Sequence, residues 1–212
     1  MEFIDPALQR YSERFSSPES PVLAELNRET NLKVLYPRML SGHLQGRILA
    51  LLSLIKRPQH ILEIGTYTGY AAICMAEGLV AEGQVTTIEI DPEKEDLILR
   101  YFEKAGIQAR ANLLIGDAAD LIPTIDTPID LAFLDADKES YVRYFDMILP
   151  KMPSGGLIIA DNMLWSGKVL DENVSDRETQ GLRNFVEHVA NTENVEQVLM
   201  PVRDGIMLIV KK

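Results

Sequence analysis

The sequence predicts an α/β fold built on a mostly parallel sheet, and three observations support this. From His60 onward, short apolar runs alternate with helical patterns. The runs at 130–134 and 157–160 are almost continuously apolar, as in parallel strands that are covered on both faces. Only three residues, "VRD", separate the last two runs. Because a helical crossover needs many more residues, we expect those two strands to form an antiparallel hairpin at the edge of the sheet.

Residues 1–58 are predicted to form N-terminal helices that belong to the same domain as the sheet. Helical spacing is clear in "DPALQRYSERF", in "SPESPVLAELNRET" and in "SGHLQGRILALLSLIK". The last of these segments has the stripe of apolar side chains that is typical of an amphipathic helix, and this face could support a dimer: Leu44, Ile48, Leu51, Leu52 and Ile55. Pro58 then ends the helical pattern.

Residues 59–212 supply the sheet and its covering helices. The predicted strands are 60–64, 84–90, 111–116, 129–135, 156–161, 195–201 and 205–211. The predicted helices are 70–81, 92–105, 138–149 and 176–190. Strands and helices that alternate at this spacing are typical of a Rossmann-like, doubly wound sheet, here with seven strands.

Composition excludes several classes of protein. The formal charge is −11, which disfavours a nucleic-acid interface and an anionic membrane surface. Cys74 is the single cysteine, so no intrachain disulfide or thiolate metal cluster can form. No apolar run reaches the ~20 residues of a membrane span. The first residues, "MEFIDPALQRY", lack the basic start and apolar core of a signal peptide. We therefore expect a soluble, cytoplasmic protein.

The first predicted strand leads into a glycine-containing turn, "HILEIGTYTGYAA". Gly65 and Gly69 do not match the dinucleotide fingerprint, so a pyrophosphate cradle is not expected. Glu63 lies at the end of this strand and Glu89 at the end of the next, where an acid can bind ribose hydroxyls. A third acidic turn, "GDAAD", follows the third strand at 116–120. A ribose and a base without phosphates indicate S-adenosylmethionine; the alternative is a plain tight turn and a solvated acid.

Oxygen-bearing side chains also follow the fourth and fifth strands. Asp135 lies in "FLDADKESY", and Asp161 and Asn162 lie in "LIIADNMLW". Ligands of such folds bind outside the carboxyl ends of the strands. Two carboxylates and an amide suit Mg²⁺, or Mn²⁺ or Ca²⁺, whereas the three histidines lack the spacing of a zinc site. The alternative is that both aspartates cap helices and that Lys138 lies on a solvated face.

Five stretches, in this order and spacing, resemble a known family: "LEIGTYTGYAA", "TIEID", "FLDADKESY", "IIADNMLWSG" and "MPVRDGIML". They are similar to the metal-dependent class I S-adenosylmethionine O-methyltransferases of the caffeoyl-CoA type, with catechol O-methyltransferase as a more distant relative. The match covers about residues 36–210. It implies a methyltransferase domain over 59–212 that uses S-adenosylmethionine and a divalent cation to methylate a catechol-like or other small phenolic hydroxyl. It also implies a homodimer.

The resemblance assigns roles to individual residues. Lys138 matches the general base, Trp165 lines the acceptor pocket, and the metal ligands are Asp135, Asp161 and Asn162. The cofactor positions are Met39, Ser41, Glu63, Gly65, Tyr67, Ala71, Glu89, Asp117, Ala118 and Asp135. One of these departs from the family pattern: members often carry serine where this chain has Ala71, which removes one hydrogen bond to the cofactor carboxylate.

Two other functions remain open at this point. The first is a tRNA hydroxyuridine O-methyltransferase of the same family, which the acidic balance disfavours although Arg38 or Lys168 could form a local basic patch. The second is a domain that binds S-adenosylmethionine without catalysis, which the presence of Lys138 and both aspartates disfavours. We expect the polar loop at 165–178 to be mobile and, with the N-terminal helices, to determine the acceptor.

Overall fold

The computed structural model describes residues 5–212. The prediction that the chain lacks a signal peptide draws partly on residues 1–4, which lie outside the described residues. The helices are α1 (Pro6–Phe15), α2 (Pro21–Lys33), α3 (Gly42–Lys56), α4 (Tyr70–Ala76), α5 (Glu95–Lys104), α6 (Ala118–Leu121), α7 (Tyr141–Ile148) and α8 (Arg177–Ala190). The strands are β1 (His60–Ile64), β2 (Gln84–Glu89), β3 (Ala111–Ile115), β4 (Leu131–Leu134), β5 (Leu157–Ala160), β6 (Val195–Met200) and β7 (Ile206–Lys211).

The seven strands form one sheet in the order β3-β2-β1-β4-β5-β7-β6. The first five strands pair in parallel, and β7 runs antiparallel to both β5 and β6. Every residue of β1, β4 and β5 is buried, as expected for strands covered on both faces. The predicted Rossmann-like fold with an antiparallel edge hairpin is confirmed.

The N-terminal helices share an apolar core with the sheet. Leu23 of α2 and Leu49 of α3 are fully buried in the same cluster as Ile61 of β1 and Phe133 of β4. This burial ties residues before 58 to the rest of the molecule. The division of the chain at residue 58 stays a prediction.

Three predicted helix boundaries are wrong. Helix α4 ends at Ala76, five residues before the predicted end. Gly78 lies so close to α3 that a Cβ there would be 2.1 Å from the carbonyl carbon of Ser53. The apolar residues after Gly78 therefore belong to a loop, in which the Val80 amide donates to the Pro58 carbonyl. The helices predicted from 92 and from 138 each begin instead as a short 3₁₀ turn, so that α5 starts at Glu95 and α7 at Tyr141.

The apolar stripe predicted for α3 lies only partly against the core, where Ile48 and Leu52 are partly buried. The helix buries Gln45, Gly46, Leu49, Ala50 and Ser53, whereas Leu51 and Ile55 are exposed. Small residues let α3 approach α4 closely: a Cβ on Gly46 would lie 2.6 Å from the Tyr70 ring. The close approach of α3 to α4 therefore decides which face of α3 is buried, and the polar side chain of Gln45 is buried with it.

The predicted homodimer stays a prediction.

Between residues 5 and 212, no helix combines the length and the apolar character that crossing a membrane would require.

Candidate functional site

A cleft of about 1280 Å³ opens at the carboxyl ends of the central strands. Single small ligands generally occupy about 300–1,000 Å³, so this cleft has room for two. Most of the predicted site residues line it: Met39, Ser41, Gly65, Tyr67, Glu89, Asp117, Ala118, Asp135, Lys138, Asp161, Asn162 and Trp165. Ala71 lines a smaller recess that shares part of the same wall. Glu63 lines neither space.

Glycine is required in the turn after β1. Gly65 has φ +94°, and a Cβ there would lie 2.1 Å from the carbonyl oxygen of Asp135. Any side chain would therefore push β1 away from the end of β4, in addition to the cost of the left-handed backbone. This contact brings the first predicted cofactor turn against the first predicted metal ligand.

Glu89 is held firmly at the end of β2. One carboxylate oxygen accepts from the Tyr67 amide at 2.7 Å, and the other accepts from the Asp91 amide at 3.0 Å. Lys94 Nζ lies 3.4 Å from the second oxygen. Because the residue is buried and lines the cleft, Glu89 is not a solvated strand-end acid.

Glu63 lies behind the cleft wall, fully buried. One carboxyl oxygen accepts a hydrogen bond from the Thr87 hydroxyl, and the other has no partner among the described residues. Burial is the main cause that raises the pKa of Glu63 to about 8, and the negative charges of Asp135 and Glu89 add to it. The carboxyl group is therefore mostly protonated at neutral pH.

The third acidic turn is built by a helix that periodicity did not predict. Asp117 caps the four-residue helix α6 by accepting from the Ala119 amide at 2.8 Å. This cap places Ala118 on the cleft wall. A helix this short has no measurable apolar period, so only the capping aspartate in "GDAAD" could have indicated it.

The two predicted metal-binding aspartates follow adjacent strands, β4 and β5, and both line the cleft. Burial raises the pKa of Asp161, and the charge of Asp135 raises it further, so the two carboxylates interact. Asp161 accepts from the Asn162 amide at 2.8 Å, and neither aspartate caps a helix. Asn162 has φ +62°, a conformation that asparagine adopts more readily than most residues. Across residues 5–212 no three His, Cys, Asp or Glu side chains converge, so the candidate centre consists of two carboxylates and an amide.

Lys138 is buried beside these carboxylates and is only 5% exposed. Its Nζ donates to Asp135 Oδ1 at 3.1 Å and to the Tyr141 hydroxyl at 2.7 Å. Tyr141 in turn donates to the Leu134 carbonyl at 2.9 Å. Lys138 is thus not on a solvated face. Tyr141 was missed by the sequence analysis, although its position three residues after Lys138 could have indicated it.

Trp165 lies over the lysine end of the cleft. The Nζ atoms of Lys138 and Lys168 lie 6.0 Å and 5.7 Å from its ring centroid. The hairpin turn between β6 and β7 fixes the preceding chain, because the Leu164 amide donates to the Asp204 carbonyl at 2.8 Å. The Ser166 amide donates to the Asp204 side chain at 2.6 Å. The start of the loop predicted to be mobile is therefore anchored.

Two consecutive side-chain hydrogen bonds that end on Asp161 were not predicted from the sequence. Gln45 Nε2 donates to Asp161 Oδ2 at 2.7 Å, and Arg203 Nη1 donates to Gln45 Oε1 at 2.5 Å. The three residues come from α3, the end of β5 and the β6–β7 turn. Their separation in the sequence left no spacing pattern that could reveal the contact.

Comparison with known proteins agrees with this geometry. A family model described as O-methyltransferase matches residues 13–212. The chain belongs to this family. A catechol O-methyltransferase of Niastella koreensis is 38% identical over 66% of this chain and 66% of its own length. A caffeoyl-CoA O-methyltransferase of Populus kitakamiensis is 31% identical over 77% of this chain and 74% of its own length.

The O-methyltransferase fold extends over nearly the whole chain. The crystal structure of an O-methyltransferase from Bacillus cereus in complex with SAH superposes with a TM-score of 0.91. It is 31% identical, and the match covers 97% of each chain. The protein is therefore an S-adenosylmethionine-dependent O-methyltransferase with a Rossmann-like fold.

Proposed function

We propose that this O-methyltransferase methylates a hydroxyl of a small, catechol-like phenol in a reaction that requires a divalent cation. One observation carries the proposal: Asp135, Asp161 and Asn162 line the same cleft as the buried Lys138. Metal ligands and a proton acceptor beside a cofactor turn are the groups that such a transfer needs.

The walls at the β1 and β2 ends fit S-adenosylmethionine. The Gly65 turn lets a ligand approach the backbone closely, and the Glu89 carboxylate is oriented by two amides so that it can accept from ribose hydroxyls. Asp117 and Ala118 line the cleft and would contact the adenine, and Met39 and Ser41, which also line it, would contact the methionine end of the cofactor. The SAH in the Bacillus cereus relative is the demethylated product of this cofactor. S-adenosylmethionine supplies the methyl group on a positively charged sulfur.

The carboxylate pair fits a cation that prefers oxygen ligands. Asp135 and Asp161 line the cleft at adjacent strand ends, and with an amide oxygen from Asn162 they would form a set that suits Mg²⁺, with Mn²⁺ and Ca²⁺ as alternatives. Because only a few of the cation's coordination positions would be taken by the protein, positions would remain for the two vicinal oxygens of a catechol. A bound divalent cation would lower the pKa of the acceptor hydroxyl and hold its oxygen in place.

Lys138 is the residue that we expect to accept the hydroxyl proton, at Nζ. Its two hydrogen bonds, to Asp135 and to Tyr141, fix that atom beside the candidate metal ligands. Burial keeps bulk water from competing for the proton. Trp165 would pack against the acceptor ring at the same end of the cleft.

Catechol is the acceptor class that the relatives support. The names of the Niastella koreensis and Populus kitakamiensis enzymes both refer to acceptors with vicinal hydroxyls. The formal charge of −11 gives no support to a tRNA acceptor.

A paired acceptor assay tests this proposal. With Mg²⁺ present, methyl transfer from labelled S-adenosylmethionine is measured onto 3,4-dihydroxybenzoate and onto the matched monophenol, 4-hydroxybenzoate. We expect transfer to the first and little to the second, which cannot chelate. Equal transfer to the two phenols would exclude a catechol-chelating site.

A further inference from the structure

Gln45 lies buried between a carboxylate and a guanidinium, and only 1% of its surface is exposed. It donates to Asp161 at 2.7 Å and accepts from Arg203 at 2.5 Å. Arginine can only donate and an ionised carboxylate can only accept, so these partners fix which end of the amide points where. A neutral amide is the side chain that satisfies both partners at once.

We propose that Gln45 is a positioning residue that holds the Asp161 carboxylate in the orientation needed to bind the cation, and that Arg203 fixes Gln45 in turn. This inference rests on the proposed metal-dependent function. It assigns a role at the metal centre to α3, from which no metal ligand is predicted.

Two directional bonds fix the rotation of the Asp161 carboxylate. Oδ1 accepts from the Asn162 amide at 2.8 Å and Oδ2 accepts from Gln45. The terminal torsion of aspartate is otherwise broad, so without Gln45 the carboxylate would sample other orientations. The cation would then have to restrict the Asp161 carboxylate to one orientation as it binds, and this would weaken its affinity.

The charge distribution also favours this role. An arginine placed directly on Asp161 would neutralise the carboxylate and compete with the cation. Here the guanidinium of Arg203 is separated from Asp161 by the length of one amide. Gln45 transmits the orienting hydrogen bond without bringing a positive charge into contact with the metal ligand.

The same hairpin turn anchors the acceptor side of the cleft. Arg203 is followed by Asp204, whose carbonyl and side chain hold the Leu164 and Ser166 amides on either side of Trp165. The turn therefore fixes Asp161 through Gln45 and fixes Trp165 through Asp204, which keeps the metal centre and the acceptor wall in register.

The test measures Mn²⁺ affinity directly, by electron paramagnetic resonance of the free ion, in the full-length protein. Specific binding is the part that Asp161→Ala removes. For Gln45→Met, which keeps the length but makes neither hydrogen bond, we expect Mn²⁺ affinity to fall about 10- to 100-fold, the range found when outer-shell partners are removed. Affinity for S-adenosylmethionine, measured by calorimetry, should change less than about twofold, because the residues that we expect to hold this cofactor, such as Gly65, Glu89 and Asp117, do not include Gln45.

Two further variants separate positioning from a structural role. Gln180→Met, on the exposed part of α8, is the matched control and should leave Mn²⁺ affinity unchanged. Arg203→Met should weaken Mn²⁺ binding less than Gln45→Met. In a protein that already carries Gln45→Met, Arg203→Met should cause no further loss of Mn²⁺ affinity, because the effects of coupled residues are not additive.

Each outcome has a definite meaning. If the unaltered protein binds Mn²⁺ and Gln45→Met binds it equally well, the positioning role is wrong while the proposed function stands. If the unaltered protein binds Mn²⁺ no better than Asp161→Ala, the metal proposal and this inference both fall. If Gln45→Met does not fold, Arg203→Met still decides the matter, since an unchanged Mn²⁺ affinity there would contradict the relay.

Discussion

The Nζ atom of Lys138 lies 3.1 Å from Oδ1 of Asp135, so a buried lysine amine donates directly to a candidate metal ligand. If Lys138 accepts the substrate proton, Lys138→Ala should lower kcat by about 10²- to 10⁴-fold, the usual effect of removing a positioned acid–base group. Affinity for S-adenosylmethionine should change little. Lys138→Arg should not restore the rate, because arginine keeps its proton.

The matched control is Lys33→Ala, since 69% of the Lys33 side chain is exposed. Steady-state kinetics on the best catechol acceptor, with calorimetry of cofactor binding, make the comparison. A kcat near that of the unaltered protein in Lys138→Ala would show that the lysine is not the base.

A substitution at Glu89 tests the predicted cofactor site. Removal of its carboxylate in Glu89→Ala should weaken S-adenosylmethionine binding by about 1–3 kcal/mol, the cost of losing hydrogen bonds to a charged group. Glu93→Ala, at an exposed position four residues later, should leave the affinity unchanged. Calorimetry that finds the two variants alike would remove Glu89 from the ribose site.

Gly65 and Gly155 form a matched pair that separates backbone strain from steric conflict. Both have positive φ, +94° and +80°, but a Cβ has open space only at Gly155. Gly155→Ala should cost about 1–2 kcal/mol of unfolding free energy, the price of a left-handed alanine. Gly65→Ala should cost clearly more, because its Cβ meets the Asp135 carbonyl. Urea denaturation of both variants measures the difference, and equal losses would contradict the close approach of β1 and β4.

The buried carboxyl of Glu63 should make stability depend on pH. Its pKa rises from 4.5 to about 8 on folding, so between those values the folded state binds a proton that the unfolded state has released. The stabilisation is full below the unfolded pKa and is lost as pH rises through the folded value. Over this window the unfolding free energy should fall by up to about 1.4 kcal/mol per pH unit.

Glu63→Gln isolates this contribution, because the amide cannot titrate and can still accept from Thr87. Urea denaturation at several pH values between 5.5 and 8 should show a smaller decline for this variant than for the unaltered protein. Parallel pH profiles for the two proteins would mean that Glu63 is ionised in the fold.

The apolar runs were enough to predict all seven strands. Burial on both faces leaves a strong local signal in β1, β4 and β5, whereas β3 and β6 are only partly buried. The three-residue link between β6 and β7 likewise predicted their hairpin. The buried face of α3 could not be predicted from periodicity, since close approach at Gly46 matters more there than the number of apolar side chains.

The site was predictable where it follows strand ends and not where it depends on tertiary contact. Asp135, Asp161 and Glu89 were found because the carboxyl ends of parallel strands meet at one edge. Gln45 and Arg203 come from distant segments and reach Asp161 only after the hairpin packs beside α3. Local patterns contain no information about such a contact.

Metal dependence is the central claim, and one measurement tests it most directly. Methyl transfer to a catechol and binding of S-adenosylmethionine are measured on the same sample, first with excess chelator and then after Mg²⁺ or Mn²⁺ is restored. We predict that chelator abolishes transfer while cofactor binding persists, since Gly65, Glu89 and Asp117 do not depend on the cation, and that the metal restores the rate. Full methyl transfer in excess chelator would contradict the account.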